Sequence, residues 1–407
     1  MIQGISTAIS NTDAYYDPYD FELHRAPYPI WARLRNDQPL YYNSKYDFYA
    51  LSRYADVERA SKDWRRYSSS KGTLLELIKA EVTIPPGSII FDDPPRHDLY
   101  RGLLTDIFSP RSMAALETKV REYCARSLDP LIGSGGFDFI TDLGAQVPMR
   151  TIGMLLGIPE QDQEAIRDKI DDGLRLKEGA PPPADMHERL VKNQSGVFAE
   201  YIEWRAKQPS DDVISKLLTA EFDDTNGERR RLTNDEVLGY VNLLAAAGNE
   251  TTTRLIGWAG KVLAEHPEQR MDLVKNPGLV PAAIEELLRY ESPSPVQARY
   301  VTEDVEHYGK RVPAGSVVLL LTGSANRDER RYENADKFDI HRKAQGHVAF
   351  GYGVHFCLGA SLARLEGRVA LEEVLKRFPE WEIDWKNIVQ AHTSTVRGWE
   401  RLPVKLP

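Results

Sequence analysis

The chain has 407 residues and a formal net charge of −9, an acidic balance that disfavours a phosphate-binding surface; its longest cationic run is the short Arg229-Arg230-Arg231, so nucleic acid is not an expected partner. Two cysteines cannot form a disulfide framework and fit a reducing cytoplasm. Length alone suggests two or three domains, but no linker, repeat or low-complexity stretch marks a boundary, so residues 1–407 read as one domain.

In chain order, Met1 to Asp20 is polar and acidic, with neither the charged start nor the apolar core of a leader or anchor. Leu74 to Ile90 carries a stock of apolar side chains that suits a hydrophobic guest. After a proline start, His97 and Arg101 stand four apart on one helical face and can point at the same anion. Thr233-Asn234-Asp235-Glu236 is a capping box that opens a helical pattern running to His266, where Pro267 stops it, a rod of roughly 50 Å. In its middle, Ala247-Gly248-Asn249-Glu250-Thr251-Thr252-Thr253 is locally poor helix material, and such conflicts mark functional sites. The apolar run Val241 to Gly248, interrupted by Asn242, is too short for a bilayer. Glu286 and Arg289 share a helical face at ion-pair spacing.

The run Phe350-Gly351-Tyr352-Gly353-Val354-His355-Phe356-Cys357-Leu358-Gly359 precedes a helical pattern over Leu358 to Lys376. Backbone N–H groups and the helix N-terminus favour a thiolate at Cys357, so the sulfur is expected to stay ionised. The glycine spacing is wrong for a dinucleotide loop. Cys124, far upstream, supplies no partner for zinc or iron–sulfur ligation, so one sulfur can be at most a single axial ligand. Two readings stay open from these residues: a structural cysteine, or the thiolate ligand of an iron held by a macrocycle, where it favours O–O cleavage.

Phe-Gly-x-Gly-x-x-x-Cys-x-Gly resembles the haem-binding signature of the cytochrome P450 superfamily, and further motifs follow in family order across nearly the whole chain. The resemblance implies a mainly α fold with small β-sheets, a long central helix over haem b, and Cys357 as the axial iron ligand. It implies haem contacts from His97, Arg101, Ala247, Gly248, Arg299, Phe350, His355 and Gly359. Glu250 and Thr251 match the acid–alcohol pair of oxygen activation, a carboxylate and hydroxyl that deliver protons. Glu286 and Arg289 match the Glu-x-x-Arg that braces the cysteine loop; their third partner is unclear, because Lys337 stands where arginine is usual. Substrate-facing segments are expected at Leu74 to Ile90, Gly173 to Arg189, Leu243 to Ala247, Pro295 to Gln297 and Thr393 to Val396, with Ile89, Leu243, Leu244, Val296 and Val396 as contacts.

The implied function is a soluble, cytoplasmic, bacterial-type monomer without a membrane anchor. It hydroxylates a medium-sized hydrophobic molecule (terpenoid, steroid or aromatic) with O2 and two electrons from a ferredoxin and its NAD(P)H-dependent reductase. Arg364 and Arg368 are the expected basic patch for that ferredoxin. The alternatives are a thiolate-haem gas or redox sensor without turnover and a peroxide-driven hydroxylase.

Overall fold

A computed structural model describes residues 14–81, 83–174, 198–393 and 396–407. Helices dominate it and the sheets are small, as expected. The elements that build the site are, in order, strands β1 (Leu40–Asn43) and β2 (Phe48–Leu51), helix α1 (Tyr54–Lys62), strand β3 (Tyr67–Ser68), and helices α2 (Arg96–Thr105), α3 (Glu117–Leu128), α4 (Val147–Leu156), α5 (Asn234–Glu265) and α6 (Val280–Tyr290). Strands β4 (Gln297–Val301) and β5 (Val317–Leu320) and helix α7 (Ala360–Arg377) complete them. The strands form one five-stranded sheet in the order β1-β2-β5-β4-β3, antiparallel except for the β5–β2 pair.

Helix α5 is the predicted rod. Its 32 residues start at the Thr233 N-cap, with both halves of the capping box made: the Glu236 N–H donates to Thr233 Oγ1 at 3.2 Å and the Thr233 N–H to Glu236 Oε2 at 2.8 Å. Burial opposes the charge on Glu236, yet Arg230, Tyr100 and that N–H hold its carboxyl down to about 2, and Tyr100 thereby ties α2 to α5. The helix is unbroken through Gly248 and the threonines. Thr251 and Thr253 bond back to the carbonyls of Ala247 and Asn249, at 2.8 and 2.9 Å, which satisfies their hydroxyls without cutting the ladder.

The segment before α2 crosses α5 backbone to backbone. Gly87 has φ +81°, and a Cβ there would lie 2.0 Å from the Glu236 carbonyl oxygen; a Cβ on Gly239 would lie 2.1 Å from that of Pro86. Only glycine permits such an approach at both positions. The crossing sets Ile89 and Ile90 beside α5.

Behind α5 lies the main apolar core, filled by α3, α5, α6 and α7 with Trp258 and Trp381 among the largest buried side chains. Among the described residues no helix is long and apolar enough to cross a membrane.

Candidate active site

The cysteine loop is held from three sides. The Cys357 N–H donates to the Phe350 carbonyl at 2.8 Å, closing the loop on itself. Gly353 (φ +73°) packs so close to α1 that a Cβ would fall 2.7 Å from the Ser61 carbonyl oxygen. Asn326 Oδ1 accepts from the Val348 N–H at 2.8 Å at the loop's entry.

Asn326 belongs to the brace beneath. Glu286 and Arg289, on α6, are fully buried and paired through two bonds of 2.7 Å, and Arg289 also donates to the carbonyls of Asn326, Ala335 and Lys337. The third partner is Arg342, whose Nε meets Glu286 Oε1 at 3.1 Å; Lys337 contributes only its backbone. The Asp339 N–H donates to the same oxygen.

Helix α7 begins at Ala360, two residues later than the apolar pattern suggested, with Gly359 at the N-cap. Cys357 is half-buried at its mouth. Here the sequence expectation needs correction, because burial pushes the Cys357 thiol up against the opposing pull of the Gly359 N–H, Arg101 and Arg364. Backbone dipoles do not outweigh burial at this sulfur, and a bound cation would be what deprotonates it, as with any coordinating thiol.

Cys357 opens onto a cavity with roughly 1650 Å³ of atom-free space, mouth included. The part of that space open to water-sized molecules, about 300 Å³, falls within the usual ~300–1,000 Å³ of a small-ligand pocket. Ala247, Gly248 and Thr251 of α5 and Phe350, Cys357 and Gly359 of the loop both belong to its wall. At Gly248 the absent side chain serves packing as well: a Cβ would sit 3.2 Å from Ile152 of α4.

Glu250 is not on that wall. It is buried beside Thr251 and paired with Arg254 at 3.3 Å, and Arg254 in turn donates to the Trp399 carbonyl.

The four expected anion contacts converge. His97, Arg101, Arg299 and His355 all line the cavity, and the His97 and His355 rings stand edge to face at 4.4 Å. The orphaned groups among them say what is missing. Arg299 is buried with a hydrogen bond only to the adjacent Ala298 carbonyl, and burial lowers it to about 10. His355 Nε2 is buried without a close hydrogen bond, Asp93 Oδ1 lying 3.9 Å away, and burial lowers the ring to about 4 against the pull of Asp93. Buried donors of this kind require an acceptor, and a carboxylate-bearing macrocycle over Cys357 supplies one. Among the described residues no group of three or more His, Cys, Asp or Glu could hold a bare metal ion. The residues fit haem.

The cytochrome P450 family model matches residues 180–395. A putative cytochrome P450 123 of Mycobacterium tuberculosis is 36% identical over 99% of both chains.

The chain belongs to the cytochrome P450 family.

A vitamin D(3) 25-hydroxylase of Pseudonocardia autotrophica is 34% identical over 96% of each chain. The crystal structure of CYP109E1 from Bacillus megaterium in complex with testosterone superposes with a TM-score of 0.86 at 30% identity, covering 94% of this chain and 98% of that one. The protein is thus a P450 monooxygenase whose cofactor is haem b.

Several expected contacts of this P450 lie elsewhere. Ile89, Leu243 and Leu244 line the haem cavity, but Val296 and Val396 face a second, smaller cavity with Glu76 and Tyr19. The reason is strand alternation: Gln297 and Arg299 of β4 point to the haem side, so Val296 and Ala298 point away. Of the described residues between Leu74 and Ile90, Ile89 and Ile90 reach the cavity, whereas Leu75, Leu77 and Ile78 are buried in a short helix elsewhere; Val82 lies outside the described residues. Residues 175–189 of the Gly173 to Arg189 segment lie outside the described residues.

Arg364 and Arg368 are not a free basic patch. Arg364 forms a two-pronged pair with Glu285 (2.6 and 3.0 Å), and Arg368 is held by Glu117 and Glu372. Burial opposes the charge on Glu285, but His347 and Arg364 bring it down to about 2, so the pair stays charged at any physiological pH.

Sequence reasoning missed Thr252 and Glu366, which both line the haem cavity. Glu366 carried a signal, since it follows Cys357 by nine residues on the apolar side of α7, among Leu362, Leu365 and Val369.

Proposed function

We propose that this P450 hydroxylates a medium-sized hydrophobic molecule of steroid, terpenoid or aromatic type, with O2 and electrons from a ferredoxin. The observation that carries the substrate class is the cavity wall, whose surface is mainly apolar and includes Ile89, Ile90, Phe108, Leu243, Leu244 and Leu288. The similar proteins named for vitamin D(3) hydroxylation and bound testosterone support the same class.

When bound, thiolate-ligated haem supplies O–O bond cleavage and oxygen insertion. The chain's own part is to hold and protonate. Arg101, Arg299, His97 and His355 would hold the carboxylates of the cofactor, and Phe350 packs beside the cysteine, with Arg364 stacked over its ring at 4.5 Å. The Thr251 hydroxyl stands on the cavity wall with its proton parked on the Ala247 carbonyl, so its oxygen lone pairs remain for an incoming donor or a water. Glu250, one residue away, pairs with Arg254 and, when the pair opens, takes a proton from solvent and passes it to that hydroxyl. A sensor without turnover has no use for this pair, and neither does an enzyme fed directly with peroxide.

Thr251→Ala is expected to lower product formed per NAD(P)H by about tenfold or more while peroxide release rises. Unchanged coupling would remove Thr251 from the relay. The substrate class is tested by titrating the ferric enzyme with steroids, terpenoids and small aromatics. A high-spin shift with micromolar half-saturation is expected from at least one of them; a response only to charged, polar compounds overturns the assignment.

The ferredoxin face is proposed around the cysteine loop. Phe356, next to the iron ligand, is 39% exposed, and Arg101 beside it donates to the Phe356 carbonyl at 2.6 Å.

A further inference from the structure

We infer that Arg397 is a positioning residue: held by Glu291 and Tyr28, it fixes the cavity wall at Pro293 and Ser294 and so decides which position of a guest is oxidised; the proposal rests on the monooxygenase reading given above.

Arg397 opens the strand Arg397–Arg401 and is only 2% exposed. Its guanidinium donates in four directions. Nε reaches the His24 carbonyl at 2.7 Å and Nη1 reaches Glu291 Oε2 at 2.5 Å, while Nη2 serves both the Arg25 carbonyl at 2.9 Å and the Tyr28 hydroxyl at 2.7 Å. The backbone of the same residue is engaged as well. Its N–H donates to the Pro293 carbonyl at 2.7 Å, and its carbonyl accepts from Trp258 Nε1 of α5 at 2.9 Å. The Trp258 ring also lies against the guanidinium, 4.6 Å away. One residue thus joins the stretch 24–28, the end of α6, the long helix α5 and the segment that leads into β4.

Pro293 and Ser294 of that segment line the haem cavity, and no helix or strand ladder supports them. Their place depends on three consecutive carbonyls that are each held. Pro293 is held by the Arg397 N–H, Ser294 by the Thr322 hydroxyl at 2.9 Å, and Pro295 by the Gly323 N–H at 2.9 Å. The first of these anchors stands where the guanidinium bonds put it.

Stability is a weak reason for this cluster. Glu291 shares its carboxylate between two buried guanidiniums: Oε1 accepts from the Tyr28 hydroxyl at 2.5 Å and from Arg327 at 3.1 Å, and Oε2 accepts from Arg397. Asp336, largely exposed, also stands 3.5 Å from Arg327. Burial opposes the charge on Glu291, and Arg397 and Arg327 hold its carboxyl below the usual carboxylate range. Desolvating such a cluster costs about what its attraction returns, and apolar side chains of similar volume often support a fold equally well. Apolar packing lacks direction, however, whereas a planar guanidinium bonded at fixed angles defines a position.

The test uses the haem-loaded enzyme and two rigid probes, 1-phenylimidazole and 4-phenylimidazole, titrated against the ferric iron. The two have the same composition and differ in where the phenyl ring leans, so the ratio of their half-saturation values reports the shape of the wall without turnover. In Arg397→Met this ratio, and the product ratio of a guest oxidised at more than one position, are each expected to change by at least about threefold. Arg397→Lys, which keeps the charge but loses the fork, is expected to change them less, and it serves if Arg397→Met does not fold. The apolar triple variant Glu291→Met, Arg327→Leu, Arg397→Met separates position from stability: its urea midpoint is expected to stay near that of the wild type while both ratios shift. Wild-type ratios in Arg397→Met, or ratios that move only in variants with a lowered urea midpoint, overturn the proposal. If the wild type forms no product from any guest that shifts its spin state, the monooxygenase reading fails instead, and the phenylimidazole ratio still reports on the wall.

Discussion

Replacing Glu286 with alanine is expected to remove roughly 3–5 kcal/mol of folding stability, the cost of leaving a buried charge without its partner. Arg289 and Glu286 have no exposed side-chain surface, so water cannot take the place of the lost carboxylate. The same substitution strips the Asp339 N–H of its acceptor and releases Arg342, so the stretch that leads into the cysteine loop loses its anchor. Against a typical total of about 5–15 kcal/mol, this is a large fraction. Urea denaturation of the haem-loaded protein measures it, with haem release as a second readout. Glu286→Gln keeps an acceptor oxygen for the Asp339 N–H and should do less damage than alanine. A loss below about 1 kcal/mol would show that the α6 pair does not brace the loop.

Cys357→Ser carries the other large effect. The hydroxyl nearly matches the thiol in shape, and the loop is held by the backbone of Phe350, by the contact of Gly353 with α1 and by Asn326 rather than by the sulfur. The fold should therefore survive with an intact far-ultraviolet spectrum. Its chemistry should not, because electron donation from sulfur is what favours O–O cleavage. The ferrous carbon monoxide complex is expected to lose the strongly red-shifted band of thiolate ligation, and hydroxylation to fall by at least about a hundredfold. A red-shifted band in Cys357→Ser would place the iron on another ligand.

Local patterns in the chain carried more of this site than its length suggests. The capping box at Thr233 and the i,i+3 pair of Glu286 and Arg289 are short-range signals, and the structure realises both. His97 and Arg101 are four apart on α2 and do share one anion-facing wall. The errors fall where a residue's direction depends on distant partners. Val296 adjoins the site, but the pleat of β4 turns it away, and Val396 faces the same second cavity from a distant part of the chain. Arg364 and Arg368 look free on a helix because Glu285 and Glu117 come from α6 and α3, far away in sequence. Lys337 occupies the expected arginine position, yet the guanidinium that reaches Glu286 comes from Arg342, five residues on.

By itself the sequence determined that Cys357 can be at most a single axial ligand, that a long capped helix starts at Thr233, and that Glu286 and Arg289 stand at pairing distance on one helical face. Spacing and residue chemistry suffice for these, because each depends on neighbours within a turn or a loop. Tertiary structure alone decided the charge states. Burial raises the Cys357 thiol and the Glu366 carboxyl, while His347 and Arg364 lower Glu285, and burial and pairing are sums over elements that meet only when the chain is folded.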